Sequence, residues 1–165
     1  MNKDSKKIGS ITVIGGGIAG IQASLDAANS GFKVHLVEEK PNVGGVMAQL
    51  DKTFPTDDCS ACMMGPKLVE LAKHPNIEIL AYTEVIRLEG EAGHFRLTLN
   101  QKARAVDPEK CIGCGICAEK CPVTVPDPFN LGMNHRKAVY LAYPQAVPLV
   151  YTIDKRFCRF FTKGQ

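Results

Sequence analysis

Apolar residues in the first part of the chain follow the periods of alternating strands and helices. The segment ITVIGGG, residues 11–17, predicts a short buried strand that runs into a glycine turn. The next segment, IAGIQASLDAAN, has small and apolar residues at helical spacing until Gly31 ends it. KVHLVEE, residues 33–39, predicts a second strand. This order of strand, turn, helix and strand is typical of a parallel sheet with a right-handed crossover.

Three further segments extend the pattern. KLVELAKH, residues 67–74, predicts a helix with Pro66 near its first turn. IEIL, residues 77–80, predicts a third parallel strand. TEVIRLEGEAGHFRLTLN, residues 83–100, alternates apolar and polar residues around a glycine-containing turn and predicts an antiparallel hairpin. Together these segments predict a doubly wound α/β unit with an antiparallel hairpin.

The pattern changes near Asp107, where cysteine, proline and glycine become frequent and no long amphipathic helix can be drawn. We therefore predict a Rossmann-like unit over residues 1–105. A small module organised by its cysteines is predicted over residues 106–165.

Composition and charge narrow the function classes. Of the 165 residues, 45% are hydrophobic and 22% are charged, as is usual for a folded protein. The formal net charge of +3 is not concentrated in a long run of lysine or arginine, so nucleic-acid binding is not expected. The polar start MNKDSKKIGS and the glycines that soon follow argue against a secretory signal or a membrane span. We expect a cytoplasmic protein.

A glycine motif marks the junction of the first strand and helix. Gly15, Gly17 and Gly20 form GxGxxG, whose glycines allow a tight turn, close approach of a pyrophosphate and close packing of helix on strand. The helix N-terminus favours the negative charge of the pyrophosphate. Glu38 ends the second strand, where a carboxylate accepts hydrogen bonds from ribose hydroxyls. The sequence thus predicts a dinucleotide site, with further cofactor contacts at Ile18, Ala19, Glu39, Lys40, Gly44 and Gly45.

Nicotinamide and flavin dinucleotides share this motif, and the phosphate site does not separate them. After Glu38, a short loop, EKPNVGG, ends in the pair Gly44-Gly45. This arrangement resembles flavoproteins with two dinucleotide-binding domains, in which the glycine pair passes close to the cofactor. The resemblance favours FAD over NAD.

Seven cysteines without an export signal indicate thiols used for metals or catalysis rather than a disulfide framework. Residues 111–122, CIGCGICAEKCP, have the CxxCxxCxxxCP spacing of bacterial-type ferredoxins. Zinc sites usually use two CxxC pairs from separate turns, so a 4Fe-4S cluster is favoured. In two-cluster ferredoxins the last cysteine serves the other cluster, which leaves the fourth ligand open. The predicted ligands are Cys111, Cys114, Cys117 and Cys121.

The role of Cys158 depends on a short internal repeat. Asp154 precedes Cys158 at the same offset at which Asp107 precedes Cys111, as a duplicated ferredoxin half would show. Cys158 is therefore a candidate first ligand of a second cluster loop. The alternative is a buried free thiol.

Cys59 and Cys62 form a separate CxxC in the segment DDCSACMMGPK. Three uses compete for this pair: a redox dithiol near a helix start, a partial ligand set for a cluster, or two structural cysteines. The preceding Asp57-Asp58 pair would oppose a thiolate.

Five segments in order resemble the A subunit of heterodisulfide reductase nearly end to end: GGGIAG, EEKPNVGG, DCSACMMGPKLVE, DPEKCIGCGICAEKCPV and AVYLAYPQAVPLVYTIDKRFCRFFTKG. The last three are specific to that family. The resemblance implies a Rossmann-like FAD-binding unit with a parallel sheet and an antiparallel hairpin, followed by a small ferredoxin-like 4Fe-4S module. It also implies FAD contacts at Gly15, Gly17, Gly20, Glu38 and Gly45 and cluster ligands at Cys111, Cys114, Cys117 and Cys121.

The same resemblance carries expectations about length and partners. Family members have further cysteines after the position of Cys158 and continue through the rest of the flavin domain and a nicotinamide-type domain. We therefore expect this chain to be an N-terminal fragment, or a truncated or split gene product. One 4Fe-4S cluster is expected here and a second in a longer chain. The implied partners are other heterodisulfide reductase-type subunits, a hydrogenase or dehydrogenase electron donor, and ferredoxin.

Three functional hypotheses follow. In the first, FAD splits a two-electron donor into single electrons, which the cluster carries to a partner protein. In the second, the chain is a non-enzymatic ferredoxin-like relay or docking fragment without bound flavin. The third, part of an amidotransferase-type or pyrimidine-type flavoprotein, normally has its clusters before the glycine motif, whereas here the order is reversed. The first hypothesis is favoured.

Overall fold

The computed structural model describes residues 9–164; residues 1–8, which include most of the polar start, and Gln165 lie outside the described residues. The chain forms two compact units that divide between Gln101 and Lys102. The sequence analysis placed the boundary after residue 105. None of the helices within residues 9–164 has the length and apolar character needed to cross a membrane.

A parallel three-stranded sheet organises the first unit. Its strands are β1 (Ser10–Ile14), β2 (Lys33–Glu38) and β5 (Ile77–Ala81), with β2 in the middle, and α1 (Ile18–Asn29) connects the first two. The middle strand is the most buried, because β1 and β5 cover its two edges and α1 packs against it. Side chains at most 2% exposed are Val34, Leu36 and Val37 of β2 and Ile21, Leu25 and Ala28 of α1. The predicted mixed α/β fold is confirmed.

The second helix, α2 (Ser60–Lys73), begins well before the predicted position. The sequence analysis placed Pro66 near the first turn, but the helix starts at Ser60 and contains Pro66 in its interior. A proline there removes one helical hydrogen bond. Burial offsets that loss, since Met64, Leu68 and Leu71 lie on one face and are at most 2% exposed.

Two antiparallel ribbons complete the first unit. The strands β6 (Thr83–Glu91) and β7 (His94–Gln101) form the predicted hairpin, with an irregularity between Val85 and Arg87. A shorter pair, β3 (Lys52–Thr53) and β4 (Asp58–Cys59), precedes α2 directly. One 3₁₀ turn, Gly45–Gln49, follows β2.

Short elements make up the second unit. They are α3 (Ile116–Glu119), β8 (Thr124–Pro126), a 3₁₀ turn (Pro128–Asn130), β9 (His135–Lys137), β10 (Val139–Tyr140), β11 (Thr152–Ile153) and α4 (Arg159–Lys163). The strand β8 pairs with β9, and β10 pairs with β11, both in antiparallel orientation.

A nearly buried arginine links three parts of the second unit. The Arg136 guanidinium lies 2.8 Å from a carboxylate oxygen of Asp154 and 3.7 Å from one of Asp127. It also stacks 3.6 Å above the ring of Tyr140. The side chains of Arg136 and Asp154 are only 10% and 5% exposed. Because a buried charge is costly without a partner, this pair fixes the segments that carry it.

The buried face of α2 should carry much of the stability of the first unit. We expect Leu68→Ala to lower the free energy of unfolding by about 2–5 kcal/mol, because the 2%-exposed side chain leaves a cavity. The matched change Val69→Ala, at a side chain 53% exposed on the same helix, should shift it by at most about 0.5 kcal/mol. Urea denaturation followed by far-UV circular dichroism measures both. Equal losses for the two variants would show that this face is not a packed core.

Candidate functional site

The glycine turn between β1 and α1 depends on close backbone contact. Gly15 has a φ of +101° and donates its amide to the carbonyl of Val37 at 2.8 Å. A Cβ on Gly20 would collide with the carbonyl oxygen of Gly15. At Gly17 the same test finds open space, at the N-cap of α1. The turn is thus closed where helix meets strand and open where a pyrophosphate would approach.

Glu38 is held against this turn by backbone amides. One of its carboxylate oxygens accepts a 2.6 Å hydrogen bond from the amide of Gly16, and the other accepts a 2.8 Å bond from Lys40. A carboxylate oxygen accepts more than one hydrogen bond, so both retain capacity for ribose hydroxyls. Sequence reasoning missed Gly16, where a Cβ would lie 2.6 Å from Val43. The signal available for it was the uninterrupted run of three glycines.

The predicted glycine pair packs directly on the same turn. Gly44 donates its amide to the carbonyl of Gly16 at 2.7 Å. Gly45 has a φ of +59°, and a Cβ there would lie 2.8 Å from the Cα of Gly17. The structure therefore brings the EKPNVGG loop and the GxGxxG motif together.

A cavity of about 490 Å³ opens at the carboxyl ends of β1 and β2. Its lining includes the carboxylate-bearing residues Glu38 and Glu39 beside Gly15. Ligands of open α/β sheets bind at this end of the strands. Ile18 and Ala19 lie in the first turn of α1, where amide groups have no partner within the helix. The predicted cofactor contacts are therefore gathered around one end of the sheet.

Three of the predicted cluster cysteines surround a second cavity. Cys111, Cys114 and Cys117 line a space of about 190 Å³ together with Tyr151. Gly113 and Gly115 have φ values of +71° and +84°, which glycine adopts readily and which let the loop curl around the space. Within residues 9–164, no three potential ligands come close enough to hold a single metal ion.

Cys121 has different surroundings from the other three thiols. Loss of hydration, the largest cause, raises the pKa of Cys117, and the nearby Cys111 and Cys114 raise it further. For Cys121 the loss of hydration is outweighed by backbone groups at Val123, Ala138 and Val139 and by the charge of Lys137, so its pKa is lowered. Cys121 is also absent from the lining of the 190 Å³ cavity.

Two side chains that the sequence analysis did not single out, those of Leu149 and Tyr151, cover the cysteine loop. The position of a Cβ on Gly115 lies 3.0 Å from the hydroxyl of Tyr151, and that on Gly113 lies 2.8 Å from the Leu149 side chain. Leu149 and Tyr151 lie two residues apart in an extended segment. This spacing was the signal in the sequence that could have identified them. Burial, followed by the charges of the three thiols, raises the pKa of Tyr151.

The internal repeat found in the sequence also exists as geometry. The carbonyls of Asp107 and Asp154 accept 3.0 Å hydrogen bonds from the amides of Cys111 and Cys158, respectively. In both turns the aspartate side chain also accepts a bond from the amide two residues on, at 2.9 and 3.3 Å. Cys158 then caps α4. The two cysteines thus follow the same type of turn.

Cys59 and Cys62 are joined by a disulfide bond at the start of α2. Both cysteine residues are exposed. Cys59 is the N-cap of the helix, and the amide of Cys62 donates to its sulfur at 3.2 Å. The seven cysteines thus include one short-range disulfide, which the sequence analysis had not expected.

Comparison with known proteins places the chain in a class. The FAD dependent oxidoreductase family matches residues 10–106, and the 4Fe-4S binding domain family matches residues 104–126. The chain belongs to the FAD-dependent oxidoreductase family, with a 4Fe-4S binding segment following.

Three individual relatives are similar to this chain over most of its length. The chain is 57% identical over 145 residues to an iron-sulfur A subunit of the CoB--CoM heterodisulfide reductase of Methanopyrus kandleri, covering 88% of this chain and 22% of that protein. It is 55% identical over 149 residues to the corresponding iron-sulfur A subunit of Methanocaldococcus jannaschii, covering 90% and 23%. It is 53% identical over 146 residues to the A subunit of the H(2):CoB-CoM heterodisulfide,ferredoxin reductase of Methanothermobacter marburgensis, covering 88% and 22%. The chain spans about a fifth of the length of these curated relatives. The resemblance to the A subunit of heterodisulfide reductase is confirmed.

The carboxyl group of Asp154 makes the free energy of unfolding depend on pH in the acid range. Hydrogen bonds from Arg156, followed by those from Arg136, hold the pKa of Asp154 at about 2, below its ordinary 3.8. Because the folded-state pKa is depressed, the stabilisation is complete above pH 3.8 and is lost as pH falls towards 2. We expect the free energy of unfolding to fall by ~2 kcal/mol over this range.

Denaturation of the metal-free chain at several pH values tests this, with Asp154→Asn as the variant. The variant should be less stable near neutral pH and should show a flatter acid dependence. Asp107→Asn is the matched control, since it alters the equivalent turn, and the ion-pair partner of Asp107 within residues 9–164 is an exposed lysine 3.7 Å away. If Asp154→Asn and Asp107→Asn changed the stability and its acid dependence equally, the acid dependence would not come from Asp154.

The glycine turn predicts two separable effects on flavin binding. Gly17→Ala should leave the free energy of unfolding nearly unchanged, because φ is −75° and no atom lies within 4 Å of the new Cβ. It should weaken FAD binding at least about tenfold, because that Cβ would occupy the predicted path of the pyrophosphate. Gly20→Ala should lower stability and binding together. Fluorescence titration with FAD and thermal unfolding measure the two quantities, and a Gly17→Ala chain with unchanged affinity would contradict this site.

Proposed function

We propose that this chain is the flavin- and iron–sulfur-dependent electron-transfer part of an oxidoreductase subunit of the heterodisulfide reductase A type. One observation carries the proposal. The same chain combines a glycine turn, whose close backbone contacts suit a dinucleotide, with a cavity lined by three thiols. The activity of the whole protein is part of the proposal, since the relatives are several times longer.

On the first unit, FAD would be held by the turn Gly15 to Gly20. The first-turn amides of α1, at Ile18 and Ala19, would donate to the pyrophosphate. Glu38 would accept the ribose hydroxyls, with Glu39 and Lys40 flanking it and with Gly44 and Gly45 keeping the loop close. Bound FAD supplies the conversion between two-electron and one-electron transfer.

On the second unit, Cys111, Cys114 and Cys117 would ligate one 4Fe-4S cluster, which supplies one-electron transfer when bound. Thiols bind iron as thiolates, so each of the three would lose its proton as the cluster assembles. We assign Cys121 to a different ligand set from the other three, since its surroundings differ. Cys158 follows the same type of turn as Cys111. It is the candidate first ligand of the second ligand set, the one to which Cys121 is assigned.

Partners are proposed from what the relatives are called. All three are named as subunits, and the Methanothermobacter marburgensis protein is named for H₂, the heterodisulfide and ferredoxin. We therefore propose that this chain works with other heterodisulfide reductase-type subunits in the cytoplasm. A hydrogenase or dehydrogenase would donate electrons, and ferredoxin would be one acceptor.

Anaerobic purification with flavin, iron and sulfide assays tests the proposal. We expect flavin absorption bands, a broad iron–sulfur shoulder and about four irons per chain. Cys117→Ser should remove most of the iron, while Cys121→Ser should remove less, since only Cys117 lines the cavity. Cys158→Ser is the control for loss of a thiol outside that cavity.

The outcomes separate the competing functions. Iron without flavin in the unaltered chain would favour the ferredoxin-like relay or docking fragment. Equal iron loss in the Cys117→Ser and Cys121→Ser chains would reject the separate assignment of Cys121.

A further inference from the structure

The Cys59–Cys62 disulfide is not needed to hold the start of α2. Ser60, between the two cysteines, is fully buried, and its amide donates to the carbonyl of Asp51 at 3.0 Å. Its hydroxyl donates to the carbonyl of Met47 at 2.7 Å. The disulfide also closes a loop of only a few residues, which restricts the unfolded chain less than a long loop would.

The two sulfur atoms have unequal electrostatic surroundings. Cys59 is the N-cap of a fourteen-residue helix, and its sulfur accepts the amide hydrogen bond from Cys62. Helix N-terminal amides stabilise a thiolate and lower its pKa. Cys62 lies inside the first turn, and within residues 9–164 its sulfur accepts no equivalent hydrogen bond. After reduction, the negative charge is therefore better placed on Cys59.

The acidic residues before the disulfide do not cancel this preference. Asp57 pairs with Lys52 at 2.8 Å. Lys52 lies directly opposite Cys59 in the β3–β4 pair, so the two side chains share one face. Asp58, the next residue along the strand, points to the other face. The repulsion expected from the sequence is therefore reduced by the fold.

We propose that Cys59 and Cys62 form a thiol–disulfide exchange site that accepts two electrons from a dithiol. A thiolate of the dithiol attacks the sulfur of Cys62, the Cys59–Cys62 bond breaks, and Cys59 leaves as the stabilised thiolate. The second sulfur of the dithiol then attacks the mixed disulfide and releases Cys62. The chain gains two electrons and two protons, and the dithiol loses the same number as it becomes a disulfide.

Access to this site suits either a small dithiol or a dithiol on a protein. Both cysteine residues are exposed, and Phe54, in the turn of the same β3–β4 hairpin, is 98% exposed. An apolar side chain so exposed provides a contact for a protein surface, whereas a small dithiol would not need it. The exchange chemistry is the same for both sources and does not depend on bound flavin or iron.

The asymmetry of the two sulfurs is tested with Cys62→Ser and Cys59→Ser in the full anaerobically purified chain. Iodoacetamide is added near neutral pH, and mass mapping of peptides follows each thiol separately. Cys59 in the first variant should react about tenfold faster than Cys62 in the second, because the helix N-terminus stabilises the Cys59 thiolate. Equal rates would overturn the proposal.

Exchange itself is tested by mixing the oxidised chain with dithiothreitol and, separately, with reduced thioredoxin. Reversible formation of the dithiol chain without change in helix content is expected. Phe54→Ser should slow the reaction with thioredoxin if the source is a protein and should leave the dithiothreitol rate unchanged. Melting of α2 on reduction would overturn the proposal in favour of a structural disulfide. Loss of iron in Cys59→Ser, but not in Cys158→Ser, would overturn it in favour of cluster ligands.

Discussion

The packing of the first unit depends on backbone segments that contact each other directly, with no side chain between them. At the β1–α1 turn, the Cα of Gly20 rests on the carbonyl of Gly15, and that of Gly45 rests on Gly17. Any side chain at these contacts would separate helix, strand and loop. The same closeness exposes the α1 amides and places the Glu38 carboxylate on the amide of Gly16. Packing and ligand chemistry therefore impose one requirement, which glycine alone meets.

The features of this unit that sequence could predict are periodic or belong to a motif. The parallel strands, α1 and the hairpin followed from alternation and helical spacing, because burial selects those patterns. The start of α2 did not, since Pro66 indicates a helix boundary locally. Contacts of Ser60 with Met47 and burial of Met64 extend the helix in spite of it. Such contacts join residues distant in sequence, and no local pattern records them.

The cysteine loop shows the same division between spacing and surroundings. The spacing of Cys111, Cys114 and Cys117 was enough to predict that their thiols gather, because the intervening glycines allow the loop to curl. It could not place Cys121, whose surroundings depend on β9 and β10. Nor could it identify Tyr151, which comes from a segment well beyond the loop and meets it only in the fold.

Charge adds to apolar burial in the second unit, and it does so unequally in the two repeated turns. Asp154 orders the turn of Cys158 and also neutralises the nearly buried Arg136, so this turn is fixed without a metal. Asp107 orders the turn of Cys111, but its ion-pair partner in the described part of the chain is the exposed Lys110, 3.7 Å away. The charge of Asp107 therefore contributes less to its turn than the charge of Asp154 contributes to the other turn. Because metal binding to such a loop is also folding free energy, the cluster itself would supply the order that charge supplies elsewhere.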